Sequence, residues 1–145
     1  VLTEAKEKTS TEYLKPIRKS VEKRLKEMTA DRYKGANLDS DLSPTYALRS
    51  HKDTKAKRDD LSYGTQEQLS FLTRLGMAEI ASRQERIPVL FDDSLVNTDP
   101  GRMKFIRKYL TEASSEAQII IFTCNEDHYR FEVDYNKIKL DALPY

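Results

Sequence analysis

Cysteine is nearly absent from this chain. Cys124 stands alone, which excludes an internal disulfide, and together with only two histidines it makes no zinc-ligand spacing. A lone thiol fits a reducing, intracellular setting. No apolar stretch approaches the roughly 20 residues that a membrane helix needs, and the amino terminus has no signal-peptide layout. Charge of one sign is missing too: 25 Lys and Arg against 24 Asp and Glu leave a formal net charge of +1. That balance makes no global case for nucleic acid or membrane, so any such contact has to come from a local patch. Internal repeats and low-complexity segments are also lacking.

What is present is enough for one domain. A chain of 145 residues can bury a sizeable core, although 38% hydrophobic against 34% charged residues implies a lean core or an excess of polar helix surface. The chain begins at Val1, which suggests a processed or excised piece of something longer. Its organising stretch is IPVLFDDSLVNTD, Ile87 to Asp99. Ile87, Val89, Leu90 and Phe91 make an apolar run too short for an ordinary helix, as expected of a strand buried on both faces of a parallel sheet. Asp92 and Asp93 then stand at its carboxyl end, where open α/β sheets bind ligands. Paired acids there suit a metal or nucleotide-phosphate site, or simply cap the next helix.

Along the chain, Leu14, Ile17, Val21, Leu25 and Met28 recur at helical spacing, with Pro16 predicting a break near Tyr13 to Lys15 and a helix from there to Met28. This helix either packs on its own domain or ends a coiled-coil arm, for which Val1 to Thr11 would be a truncated stub. Gly35 to Leu38 and Thr45 to Arg49 suggest a β-hairpin, and His51 to Asp60 an exposed loop whose basic residues could touch DNA phosphates. Leu61 to Gln84 reads as a helix with Leu69, Leu72, Leu75, Gly76 and Ile80 on one face. Thr65 and Gln68 have capping-box spacing, and Ser62 and Gly64 lie just before them, at a positive helix end suited to phosphate. Ser-x-Gly before a helix is by itself common loop chemistry. Pro100 opens another helix, with Met103, Ile106 and Leu110 inward to about Ala113, and AQIIIF, Ala117 to Phe122, is a second apolar strand. Strand, helix and strand make a right-handed βαβ unit with parallel strands, placing Thr123, Cys124 and Asn125 at the same edge as Asp92 and Asp93. The alternation of Tyr129, Phe131 and Val133, and of Ile138 and Leu140, predicts a closing hairpin.

In this order, LSYGT, an apolar strand with an acid pair, LVNTD and IIIFTC resemble the carboxy-terminal half of an ABC-type ATPase head. More narrowly they resemble SMC-like DNA-repair and chromosome ATPases, including SbcC- and YhaN-like proteins, over about Tyr13 to Asn125. The resemblance implies an α/β fold of the P-loop NTPase class, a mostly parallel sheet with flanking helices, divided into a helical coiled-coil end over residues 1–30 and the ATPase lobe over 31–145. It implies that Asp92 is the Walker B aspartate, holding Mg²⁺ through water, and that Asp93 stands where relatives carry a glutamate acting on the attacking water. Ser62 and Gly64, with Gln68 behind them, match the signature motif that reaches the ATP bound on a second head, and Asp99 matches the D-loop.

Two departures matter. No G-x-x-x-x-G-K-[ST] occurs, so the phosphate-cradling loop has to come from a separate amino-terminal lobe, as in SMC-like proteins, and the chain alone should neither bind ATP tightly nor hydrolyse it. At the switch position the family's histidine is replaced by Asn125, which donates a hydrogen bond but carries no proton's charge; His128 either substitutes for it or is a surface histidine. The expected partners are that P-loop lobe and a second head, with DNA a further candidate and no membrane, in the cytoplasm and at the nucleoid if the source is bacterial. A chain of this kind should expose the apolar sheet surface that its other half covers, and so self-associate weakly. The rival expectation is a non-catalytic scaffold that keeps the head fold.

Overall fold

Proline 16 decides where the first helix begins. Its ring fits a first turn and not a helix interior. In the computed structural model a π-helical turn over Ser10–Leu14 gives way there to helix α1, Lys15–Met28. The structure describes residues 10–39, 42–51, 54–83 and 85–140. Helix α1 buries Ile17, Val21, Leu25 and Met28, the stripe expected from their spacing, against helix α2, Tyr63–Ala81. Arg24 extends across this contact, its Nη1 2.8 Å from Glu79 Oε2, which fixes the register of the two helices. Residues 15–28 therefore belong to the same core as the rest of the domain; the proposed stub, apart from its last two residues, lies outside the described residues.

The expected hairpin is formed by β1, Tyr33–Leu38, and β2, Pro44–Arg49, which pair antiparallel. A third strand, β3, Lys55–Lys57, adds to β2 and corrects the expectation of a plain loop from His51 to Asp60. Only Ala56 points inward there, opposite Ala47, between two exposed lysines. One small apolar residue is too little alternation to read as a strand.

The second sheet is the expected βαβ unit. Strands β4, Pro88–Asp92, and β5, Gln118–Phe122, pair parallel in a register running from Pro88 opposite Gln118 to Asp92 opposite Phe122, joined through helix α3, Pro100–Ala113. Met103, Ile106 and Leu110 face inward as expected, and the Tyr109 hydroxyl reaches Glu27 Oε2 at 2.9 Å, tying α3 to α1. The architecture among the described residues is thus mixed α/β, with three helices, one antiparallel sheet and one parallel sheet. The expectation of a mostly parallel sheet is corrected, since among the described residues two of five strands pair in parallel. Nor is β4 buried on both faces: Phe91 is buried against Phe71 (ring centroids 4.8 Å apart), whereas Leu90 is 53% and Phe122 41% exposed. Helix α2 packs on the Phe91 side of this pair, and the opposite side, with Leu90 and Phe122, is largely exposed.

The closing hairpin is also corrected. After a 3-10 turn over Glu126–Tyr129 the backbone is irregular to Lys139, and Val133, Tyr135, Ile138 and Leu140 are exposed. Alternating apolar residues become a strand only when a sheet edge accepts their backbone hydrogen bonds, and among the described residues none does. No helix among the described residues is long and apolar enough to cross a membrane.

Candidate functional site

The sheet hands the chain directly to the acid pair. Phe91 anchors the end of β4 in the core, and the next two residues emerge at its carboxyl edge, with Asp93 N–H donating to the Phe122 carbonyl at 2.9 Å. Asp93 (φ 39°) and Leu95 (φ 70°) both adopt left-handed backbone. Aspartate tolerates this region better than leucine does, and each such residue costs on the order of 1–2 kcal/mol. Leu95 is nonetheless fully buried, so its contact with the core offsets the strain and pins the loop.

Around that pin the loop is held from two sides. Tyr129, buried in the 3-10 turn after β5, donates its hydroxyl proton to the Ser94 carbonyl. The Asp93 carboxylate accepts long contacts from the Cys124 N–H and Sγ, each 3.4 Å away. That hydrogen bond and the negative charge of Asp93 push the Cys124 thiol up, keeping it a protonated donor and a poor nucleophile. Asp92 is exposed, and the structure shows no hydrogen bond or ion pair from its carboxylate among the described residues. An exposed, unpaired hard oxygen suits Mg²⁺, which keeps several waters and takes one or two carboxylates along with substrate phosphates. No group of three or more His, Cys, Asp or Glu converges on a metal position among the described residues, so a protein-only metal cage is not built here.

The start of α2 meets the same loop further along. Ser62 is its N-cap, with Oγ accepting from Thr65 N–H at 3.4 Å, so the cap sits three residues before the expected Thr65–Gln68 box. Thr65 and Gln68 are buried instead. Gly64 lies so near the loop that a Cβ there would fall 2.7 Å from the Asn97 carbonyl oxygen. Glu67 accepts from the Asn97 N–H and side-chain amide, both at 3.4 Å. Gln68 donates to Thr98 Oγ1 at 3.3 Å and accepts from Arg102 at 2.8 Å, leaving it no free surface for a ligand. Asp99 caps α3, accepting from Arg102 N–H at 3.0 Å.

Between the exposed side of α2 and the end of β4 lies a shallow cleft of about 280 Å³, lined by Arg58, Tyr63, Arg74, Asp92, Asp93 and Ser94 among others. The two arginines share this cleft with the acid pair, a combination of charges able to hold an anion and its counter-cation. Sequence reasoning passed over Arg74 and Tyr63 and met Arg58 only among the basic residues of His51 to Asp60. The signal existed for two of them, because Tyr63, Glu67, Ser70 and Arg74 fall at helical spacing on one polar face of α2. Tyr129 was read only as part of a strand.

Asn125 stands at the expected edge, its N–H donating to Thr123 Oγ1 at 3.0 Å and its carbonyl accepting from His128 N–H at 3.3 Å. The His128 carbonyl accepts from Arg107 at 3.1 Å. The structure therefore joins Asp92, Asp93, Cys124 and Asn125 at one strand edge, and joins Gly64, Gln68 and Asp99 through the loop. It shows no hydrogen bond between Ser62 and the acid pair among the described residues.

Burial raises the Tyr129 phenol from 10.0 to about 12, with Asp93 and Glu67 adding to the shift. A raised phenol stabilises the fold while both states are protonated, below pH 10, and that contribution is lost as pH climbs through about 12. Tyr129→Phe should accordingly flatten the loss of urea stability across this alkaline window, and a loss as steep as wild type would exclude Tyr129 as a source.

No protein-family model matches the chain. It is similar to uncharacterised proteins of Mycobacterium tuberculosis and Mycobacterium bovis, each 27% identical over 143 residues, covering 99% of this chain and 16% of the relative. The uncharacterised protein YhaN of Bacillus subtilis is 36% identical over 78 residues, 52% of this chain and 8% of YhaN. The chain thus spans only about one sixth of the length of the mycobacterial relatives it matches.

Proposed function

We propose that this chain is the carboxy-terminal lobe of an SMC-like, ABC-type ATPase head, completing an ATP site with a separate P-loop-bearing lobe and pairing with a second head around the nucleotide. The observation that carries the reading is the β4–α3–β5 unit. It delivers an exposed acid pair to a strand edge while its loop rests on the start of α2, where Ser62 and Gly64 lie. The partial similarity to YhaN is consistent with it. The exposed face bearing Leu90 and Phe122 is the apolar surface that the P-loop lobe would cover. In this arrangement Asp92 is the group that would hold Mg²⁺, which when bound neutralises phosphate charge. Asp93 orients the attacking water, Asn125 offers a hydrogen bond to the terminal phosphate, and Ser62 faces nucleotide held by the other head. A role in DNA repair or chromosome maintenance follows from the resemblance.

A second reading, a non-catalytic scaffold of the same fold, is favoured by one observation: the Asp93 carboxylate is already engaged by Cys124. Hydrolysis of ATP by this chain alone, by the P-loop-bearing lobe alone and by their mixture tests both. Silence apart and turnover on mixing, lost in Asp93→Asn, is expected. Turnover by this chain alone would refute the split site, and turnover indifferent to Asp93→Asn would remove the catalytic role of Asp93.

A further inference from the structure

We propose that Gln68 is a positioning residue, locking the first turns of α2 to the loop ahead of α3 so that both ends of the composite site move as one body. The inference rests on the ATPase-head reading above and reassigns a residue that the motif alone places against nucleotide. Gln68 is 1% exposed, and both ends of its amide are used. Its Nε2 donates to Thr98, itself buried, and its Oε1 accepts from Arg102, whose Nε lies 3.3 Å from Asp99 Oδ2. One side chain on α2 thereby fixes the residue before Asp99 and, through Arg102, the Asp99 carboxylate. The fit between Gly64 and the Asn97 carbonyl adds a steric stop beside it. A buried amide holds this geometry because any slip leaves a donor and an acceptor unpaired in the core.

In the head assembled with its P-loop-bearing lobe, Gln68→Leu should lower kcat by about 10-fold or more and leave KM for ATP within about threefold. Gln68→Glu, which still accepts from Arg102 and can accept from the Thr98 hydroxyl, should restore kcat to within about threefold of wild type. A nucleotide-contacting Gln68 predicts the reverse, since the added carboxylate would face phosphate. Without nucleotide, hydrogen exchange at the Asn97 and Thr98 amides should quicken by about 10-fold in Gln68→Leu and stay near wild type in Gln68→Glu. Unchanged exchange in Gln68→Leu, or a Glu variant as impaired as the Leu variant, overturns the proposal. If Gln68→Leu does not fold, the isosteric Thr98→Val decides: it should lower kcat with KM unchanged, and a wild-type kcat refutes the lock. An inactive wild-type head would instead count against the ATPase reading, and the exchange measurement would still judge Gln68.

Discussion

If this chain completes an ATPase head as proposed, Asp92→Ala is expected to lower ATP turnover by the assembled head by about 100-fold or more, while changing the urea stability of the chain by less than about 0.5 kcal/mol. The two halves of this expectation have one cause. The Asp92 side chain is exposed and has no hydrogen bond or ion pair among the described residues, so folding does not depend on it and its charge remains available to a ligand. Ser62→Arg should also silence the head. It replaces a small N-cap that accepts from Thr65 N–H, at a stability cost of about 1 kcal/mol, and fills the space a phosphate would enter. Mixing the two dead variants gives the sharper result. If each site takes Asp92 from one head and Ser62 from the other, half of randomly formed dimers contain one intact site, restoring about a quarter of wild-type turnover. No recovery on mixing, with dimers present, would mean that Ser62 and Asp92 act within one head or that Ser62 does not act at all.

Gly64→Val is expected to be the most damaging small substitution at the site, destabilising the chain by about 2–3 kcal/mol. A Cβ at this position would stand 2.7 Å from the Asn97 carbonyl oxygen, which is backbone and cannot rotate aside. The loop that carries it is held by buried Leu95, by Glu67 on Asn97 and by Gln68 on Thr98. Valine also loses side-chain freedom in a helix. Gly101 is the matched comparison, second residue of α3 as Gly64 is second of α2. There a Cβ would meet only the Asp99 Oδ1 atom at 3.1 Å, a capping side-chain oxygen that has to give by only a few tenths of an ångström, against rigid backbone at 64. Alanine at 101 should therefore be neutral to within about 0.5 kcal/mol, whereas alanine at 64 should cost about 1–2 kcal/mol despite its better helix propensity. Urea midpoints of the three variants measure this, and equal effects of alanine at 64 and 101 would show that the loop is free to yield.

Much of the fold was legible in the chain because its signals are local. Pro16 and Pro100 mark helix starts by excluding other backbone geometries, and the stripe from Ile17 to Met28 is a statement about 3.6-residue periodicity. The parallel pairing of β4 and β5 followed from the length of the segment between them, which only a crossover can span. The acid pair was placed at a strand edge by the abrupt end of an apolar run. Where pairing depends on what lies next in space, local signals failed: β3 exists because β2 offers an edge to three residues with one inward alanine, and Phe131 to Leu140 alternate yet stay irregular for want of such an edge. The role of Gln68 is the clearest division between the two kinds of information. The motif located Gln68 near the start of a helix. Only packing turned it inward, because an amide with Thr98 on one side and Arg102 on the other is satisfied in the core, and that choice ties the helix to the loop instead of leaving the amide at the surface.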